Sequence, residues 1–245
     1  MKSLYKSILS LALLGGMIVC MQVGLYAQTE RDLFRRGLAK LETRDYPGAE
    51  VDFSMVLKLN PRNDEAYFNR GFSRMKQGDH PGAIQDFNLA LDINPINPEG
   101  YFNRGLSKLG LEDYLGAMVD FNIAIKGKSK DPRYFQARSK AKSGLRDYRG
   151  AVEDLNRSIR LTRGKKVDYI YDRAEAFINL RFFDDAIKDL DRVVGMNPND
   201  PTAYKARANV KFQAGDLDGA CLDWSRAGQL GDVTSYQLIQ KHCNG

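Results

Sequence analysis

The sequence predicts an all-α fold, a row of six helix-turn-helix units closed by a C-terminal capping helix. Three observations predict it. The stretch Tyr67-Phe68-Asn69-Arg70-Gly71 recurs 34 residues later as Tyr101-Phe102-Asn103-Arg104-Gly105, and a fixed period of this length marks stacked helical hairpins. Each period holds two stretches of helical spacing parted by a turn. Two columns of the period accept only small residues, which is what close helix packing requires.

In order, the units run 30–63, 64–97, 98–131, 132–165, 167–200 and 201–234, with one extra residue at Lys166. Numbering columns from the first residue of each unit, the second unit shows the plan. Tyr67, Gly71 and Arg74 mark one face of a first helix, Gln77-Gly78-Asp79 breaks it, Ala83, Phe87 and Ala90 mark a second helix, and Asn94-Pro95 ends it. Column eight reads Gly37, Gly71, Gly105, Ser139, Ala174 and Ala208, and column twenty reads Ala49, Ala83, Ala117, Ala151, Ala186 and Ala220. The bulky complement is column twenty-four: Phe53, Phe87, Phe121, Leu155, Leu190 and Trp224. Asp45, Asp79, Asp113, Asp147 and Asp216 stand where a side chain caps the second helix, and Pro47 and Pro81 suit its first turn. The fourth unit departs most, with Ser158 at column twenty-seven and Arg163 where other units place proline. Beyond the turn at Leu230-Gly231, Asp232 to Cys243 reads as the capping helix, and 235–245 lies outside the last unit.

These columns resemble the tetratricopeptide repeat: aromatic or aliphatic at four, small at eight and twenty, aromatic at twenty-four, and proline at thirty-two in Pro61, Pro95 and Pro198. The resemblance implies a right-handed superhelical solenoid whose concave groove is lined mainly by first helices. It also implies a non-catalytic scaffold that binds another protein or a peptide.

The first 27 residues differ from the rest. Lys2 and Lys6 precede an uncharged apolar run from Ile8 to Val23, and Leu25-Tyr26-Ala27-Gln28 offers a small residue before a cut. This reads as a secretory signal peptide spanning 1–27. A retained anchor is the alternative, though the run is short and broken by Gly15, Gly16 and Gln22. Lipidation at Cys20 is another, with Val19 before it where that signal prefers a small side chain. The whole chain carries 37 basic and 31 acidic residues, and removal of the segment leaves 35 against 31, a net charge of +4. Such a dispersed excess fits a solvated surface better than a polyanion-binding one, and no nucleic-acid partner is expected. Export predicts a periplasmic setting, with membrane-anchored or secreted forms as alternatives.

Two columns are charged in all six units. Column seven is Arg36, Arg70, Arg104, Arg138, Arg173 and Arg207, and column twenty-three is Asp52, Asp86, Asp120, Asp154, Asp189 and Asp223. An arginine ladder suits an anionic ligand. A matched acid in every unit near the packed face favours structural ion pairs instead, bridging two helices of a unit or one unit to the next.

In the resembling family, columns two, five, nine and twelve tend to face the groove. Units one to three place an apolar stripe there: Phe34, Leu38, Phe68, Phe72, Phe102 and Leu106, continued by Leu41, Met75 and Leu109. Units four to six offer polar groups, among them Arg133, Gln136, Lys140, Tyr171, Glu175, Lys205 and Asn209. Apolar side chains of a partner are therefore expected on the first half, with hydrogen bonds and charge on the second. Packing of the Phe and Leu side chains against neighbouring units is the competing reading. The family's clamp for carboxylate-terminated chaperone tails needs Lys and Asn where Phe34 and Leu38 stand, so that use is not expected.

Cys221 and Cys243 make an even pair in an exported chain, each eleven positions from residue 232, which predicts a disulfide across the last two helices. A metal site with His242 lacks a fourth ligand and zinc spacing. His80 occupies a turn column that is elsewhere Tyr46, Tyr114 and Tyr148. No phosphate-cradling loop or nucleophile with a positioned base is present, so no enzyme activity, cofactor or metal is expected. The partner expected is another protein, in an envelope or membrane complex.

Overall fold

The structure, a computed structural model, describes residues 28–128 and 130–243, and every regular element among them is a helix. The expected signal peptide and Cys20 lie outside the described residues. The chain divides into two compact units, Met1–Leu111 and Glu112–Gly245. The first holds α1, described over 28–42, α2 (Tyr46–Leu59), α3 (Asp64–Lys76), α4 (His80–Ile93) and α5 (Pro98–Gly110). The second holds α6 (Tyr114–Gly127), α7 (Pro132–Gly144), α8 (Tyr148–Leu161), α9 (Val167–Asn179), α10 (Phe183–Met196), α11 (Pro201–Gln213), α12 (Leu217–Gln229) and α13 (Val233–His242). Within each unit successive helices pack on one another. No helix among the described residues is long and apolar enough to cross a membrane.

Short turns and buried small residues hold the hairpins. The alanines of column twenty are fully buried, and the large side chains of column twenty-four are at most 1% exposed. A Cβ on Gly37 would meet the Phe53 ring at 2.8 Å, and one on Gly71 would meet Phe87 at 3.1 Å, so the small residue of a first helix makes room for the large one of the second. Two further glycines act as seats: a Cβ on Gly110 would reach the His80 ring at 2.6 Å, and Gly144 likewise receives the Tyr114 ring. The Nδ1 of His80 is buried there without a hydrogen-bond partner.

The turn between the two helices of a hairpin follows one recipe. Asp45, Asp79, Asp113, Asp147 and Asp216 accept from the backbone N–H groups of Gly48, Gly82, Gly116, Gly150 and Gly219 at 2.9–3.0 Å. A Cβ on any of these glycines would overlap the capping carboxylate. The fifth repeat confirms the coupling, since Phe182 caps without a side-chain bond and Asp185 stands at the glycine column. The preceding column is left-handed throughout, at Arg44 (φ 62°), Gly78 (85°), Glu112 (60°), Arg146 (61°), Arg181 (60°) and Gly215 (90°).

The fourth repeat closes without its proline. Helix α8 ends at Leu161, and Arg163 and Gly164 both take positive φ, 54° and 70°, to turn the chain. Ser158 fits column twenty-seven because its buried hydroxyl donates to the Pro132 carbonyl at 2.9 Å.

Candidate interaction groove

The arginine column is consumed by structure. Nε and Nη2 of the guanidinium make a two-pronged bond to the aspartate sixteen residues on: 2.9 and 2.5 Å for Arg36–Asp52, 2.9 and 2.6 Å for Arg70–Asp86, 2.8 and 2.5 Å for Arg138–Asp154. Arg173–Asp189 shows 2.7 and 2.6 Å, and Arg207–Asp223 shows 2.8 and 2.6 Å. The remaining Nη1 donates back to the preceding second helix, at Ser54 for Arg70 (3.3 Å), Asn88 for Arg104 (2.8 Å), Asn122 for Arg138 (2.7 Å), Asn156 for Arg173 (2.5 Å) and Asp191 for Arg207 (2.7 Å). Arg70, Arg138, Arg173 and Arg207 each join three helices in this way, which commits three of the five guanidinium N–H groups to structure.

Column eleven supplies a second cation that the sequence analysis missed. Lys40, Arg74, Lys142 and Lys211 lie 2.8, 3.0, 2.9 and 2.9 Å from Asp52, Asp86, Asp154 and Asp223. The column was legible as Lys40, Arg74, Lys108, Lys142, Phe177 and Lys211, and where Phe177 interrupts it the Arg173 guanidinium lies 5.7 Å from that ring. The bond from Arg36, with Lys40 assisting against the effect of burial, holds the Asp52 carboxyl below its usual range. The Asp223 bond in turn raises Arg207 above its ordinary value.

The first helices of the second unit enclose two adjoining depressions. One, about 380 Å³, lies between α7 and α9 with Ser139, Lys140, Asp172 and Glu175 on its walls. The other, about 450 Å³, lies between α9 and α11 and is lined by Tyr171, Glu175, Ile178, Leu190, Thr202, Lys205 and Asn209. Glu175 and Asn179 belong to both.

The polar groups here differ in how far they are engaged. Asp172 accepts from Gln136 at 2.7 Å and lies 3.9 Å from the Lys140 ammonium. Lys205 reaches Asp232 at 3.3 Å and also bonds Thr234, at the start of α13. The Asn209 oxygen accepts from the buried Trp224 Nε1 at 3.0 Å, which commits the amide nitrogen to the donor role. Burial, with the charges of Glu175 and Asp200, pushes the Tyr171 phenol up and keeps it a donor at neutral pH. The Glu175 carboxylate is exposed and makes no ion pair among the described residues.

In the first unit the expected apolar stripe is only partly open. Phe102 is 7% exposed, which corrects its assignment to the groove: a ring so enclosed has no face left for a ligand. Phe34 and Phe68 are half-buried, with ring centroids 5.5 and 5.8 Å from Phe53 and Phe87 of their own repeats. Phe72 is half-buried beneath the Lys76 ammonium at 5.2 Å, Leu106 is half-buried, and Leu38 is exposed. Phe34 also borders a small depression with Glu30, Arg31 and Asn63.

At the C-terminal end the Cys221 and Cys243 sulfurs lie 2.01 Å apart, with Cα atoms separated by 6.0 Å. They pack with Leu238 and Ile239 against Trp224. His242 lies against the Phe212 ring at 4.6 Å and the Trp224 ring at 6.0 Å, in an aromatic cluster. Among the described residues no three His, Cys, Asp or Glu side chains gather as metal ligands would.

Tetratricopeptide repeat profiles match residues 64–97 and 171–229. No curated protein sequence matches the chain. Solved structures do. One, described as a functional characterization of pilF from Pseudomonas aeruginosa, aligns with TM-score 0.71 and 17% identity over 88% of this chain and 98% of that one. YrrB, described as a TPR protein with an unusual peptide-binding site, aligns with TM-score 0.65 and 16% identity over 77% and 97%. The APC/C hetero-tetramer Cut9-Hcn1 aligns with TM-score 0.68 and 17% identity over 86% of this chain, which spans only 42% of that partner's length. At such identities the structures speak for the fold alone. With helix pairs of the same plan along both units and profiles matching in each, the chain is a tetratricopeptide repeat protein, built on a fold that serves as a scaffold for protein–protein interaction.

Proposed function

We propose that this scaffold is non-catalytic and holds an extended segment of a partner protein along the first helices of repeats four to six. The observation that carries this reading is the pair of adjoining depressions between α7, α9 and α11, with Glu175 on the shared wall. The two lysines that the sequence placed there are engaged, Lys140 by Asp172 and Lys205 by Asp232. Glu175 therefore sets the charge preference, and the segment it favours carries a lysine or arginine side chain. Ile178 takes its aliphatic stem, and the Asn209 amide donates to a backbone carbonyl.

Peptide selection from a displayed random library tests this. The protein is expected to enrich peptides with Lys or Arg at one fixed position, and Glu175→Lys to replace that preference with Asp or Glu. Enrichment that Glu175→Lys leaves unchanged would remove the groove assignment.

The setting we propose is the cell envelope of a bacterium, most simply the periplasm, within a larger envelope or membrane complex. Supporting it are the pattern of residues 1–27 and the cysteine pair, which as a Cys221–Cys243 disulfide suits an oxidising compartment. A second reading, a structural component tethered by the retained segment or by lipid at Cys20, rests on the same segment. Sequencing the amino terminus of the protein from cell fractions separates them: Gln28 supports cleavage, a modified Cys20 the lipid anchor, and Met1 the retained segment.

A further inference from the structure

The second helices of the first two repeats carry an apolar surface that their own repeats do not cover. On α2, Val51, Met55 and Leu59 recur at helical spacing and are 54%, 43% and 38% exposed. On α4, Leu89 and Ile93 do the same, and Ile96 just beyond the helix is 86% exposed. The two helices are neighbours, because Arg70 bonds both Ser54 of α2 and Asp86 of α4, and Arg74 joins Glu50 to the same Asp86. The fold does not impose this surface. The corresponding columns of α8 and α10 hold exposed Glu153, Arg157, Lys188 and Arg192. Large apolar side chains exposed on neighbouring helices mark an interaction site.

The charges at its edge indicate what covers it. Lys58 on α2 and Asp92 on α4 occupy the same column, are exposed, and make no ion pair among the described residues. An anionic lipid surface calls for a uniformly basic rim, whereas here Asp92 stands with Lys58 and Arg62. Opposite charges at the same column of two neighbouring helices, Lys58 and Asp92, are self-complementary. A two-fold axis lying in the contact plane, parallel to the helices and midway between them, sets α2 of one molecule on α4 of another. Apolar stripe then meets apolar stripe, and each Lys58 faces the Asp92 of the other copy, so that both ion pairs form together. We propose that this face, Val51, Met55 and Leu59 of α2 with Leu89, Ile93 and Ile96 of α4, is a docking surface for a second copy of the same chain. It is independent of the groove proposed above.

Sedimentation equilibrium over a range of concentrations tests it. The protein is expected to dimerise reversibly, and Met55→Glu/Leu89→Glu to weaken the dimer by at least about tenfold while leaving the helical circular dichroism unchanged. Lys58→Asp alone and Asp92→Lys alone should each weaken it by about tenfold or more, because symmetry turns both contacts into like-charge pairs, and the double swap should restore it. A protein monomeric at every concentration, a dimer indifferent to Met55→Glu/Leu89→Glu, or a double swap that fails to restore association overturns the proposal. So does flotation of the monomer with phosphatidylcholine vesicles, which assigns the face to lipid.

Discussion

Asp154→Asn is the sharpest test of the charged columns. The carboxylate of Asp154 receives Arg138 through two bonds of 2.8 and 2.5 Å and Lys142 at 2.9 Å. The amide keeps the shape and removes the charge. Three charge-assisted contacts are lost, and two cations remain beside a neutral group. Breaking a buried pair from one side costs about 3–5 kcal/mol. Here the aspartate is 5% exposed while Arg138 and Lys142 are 20% and 14% exposed. Water reaches the stranded cations, and Arg138 keeps its bond to Asn122 at 2.7 Å. The loss therefore falls at the lower end, about 3 kcal/mol. For a protein of this size that lowers the Tm by about 6–12 °C. Urea unfolding followed by circular dichroism measures it, with Arg138→Met/Lys142→Met/Asp154→Leu as the companion, expected within about 1 kcal/mol of wild type because no charge is left stranded. A change below about 0.5 kcal/mol, together with newly acquired sulfate binding, would falsify the structural account and return the arginines to the role of an anion-binding ladder.

Gly78→Ala should cost about 1 kcal/mol although a Cβ there touches nothing within 4 Å, because alanine takes φ 85° only under strain; an unchanged urea midpoint contradicts this. Gly150→Ala should cost about 1–2 kcal/mol by displacing the Asp147 cap, and adding Asp147→Ala to it should cost little more; full additivity in the double-mutant cycle would show the two to be independent. The carboxyls of Asp52, bonded by Arg36, and Asp232, bonded by Ser235, titrate below the unfolded range of about 3.9. Their stabilising contribution is therefore present above pH ~4 and is lost as the pH falls through the lower folded-state values. Unfolding midpoints compared at neutral pH and in acid should show this loss, and Asp52→Asn should make the dependence shallower.

Much of the packing was legible because repetition averages out local noise. A single alanine says little, but six at column twenty identify a contact, and all six are buried. The same logic exposed the pairing of columns seven and twenty-three. It failed where repeats share a conformation without sharing a residue: Arg44, Glu112, Arg146 and Arg181 occupy the left-handed position that Gly78 and Gly215 alone advertise. It failed also at Phe102. That residue shares column five with Phe34 and Phe68, yet it alone is buried, since burial depends on what stands over a side chain as well as on its column.

The sequence by itself determined the period, the helix pairs, the small and large packing columns and the aspartate caps, because each depends on contacts within about one repeat length. Tertiary structure decided which charges remain available. Lys140 and Lys205 look equally open in the sequence, but Asp172 and Asp232, 32 and 27 residues further on, engage them. Glu175, one of several polar residues at groove columns in the sequence, is the one left on a shared wall without an ion pair among the described residues. A helical period tells which side of its own helix a residue faces. Whether a charge there meets a partner or solvent depends on helices contributed by other repeats.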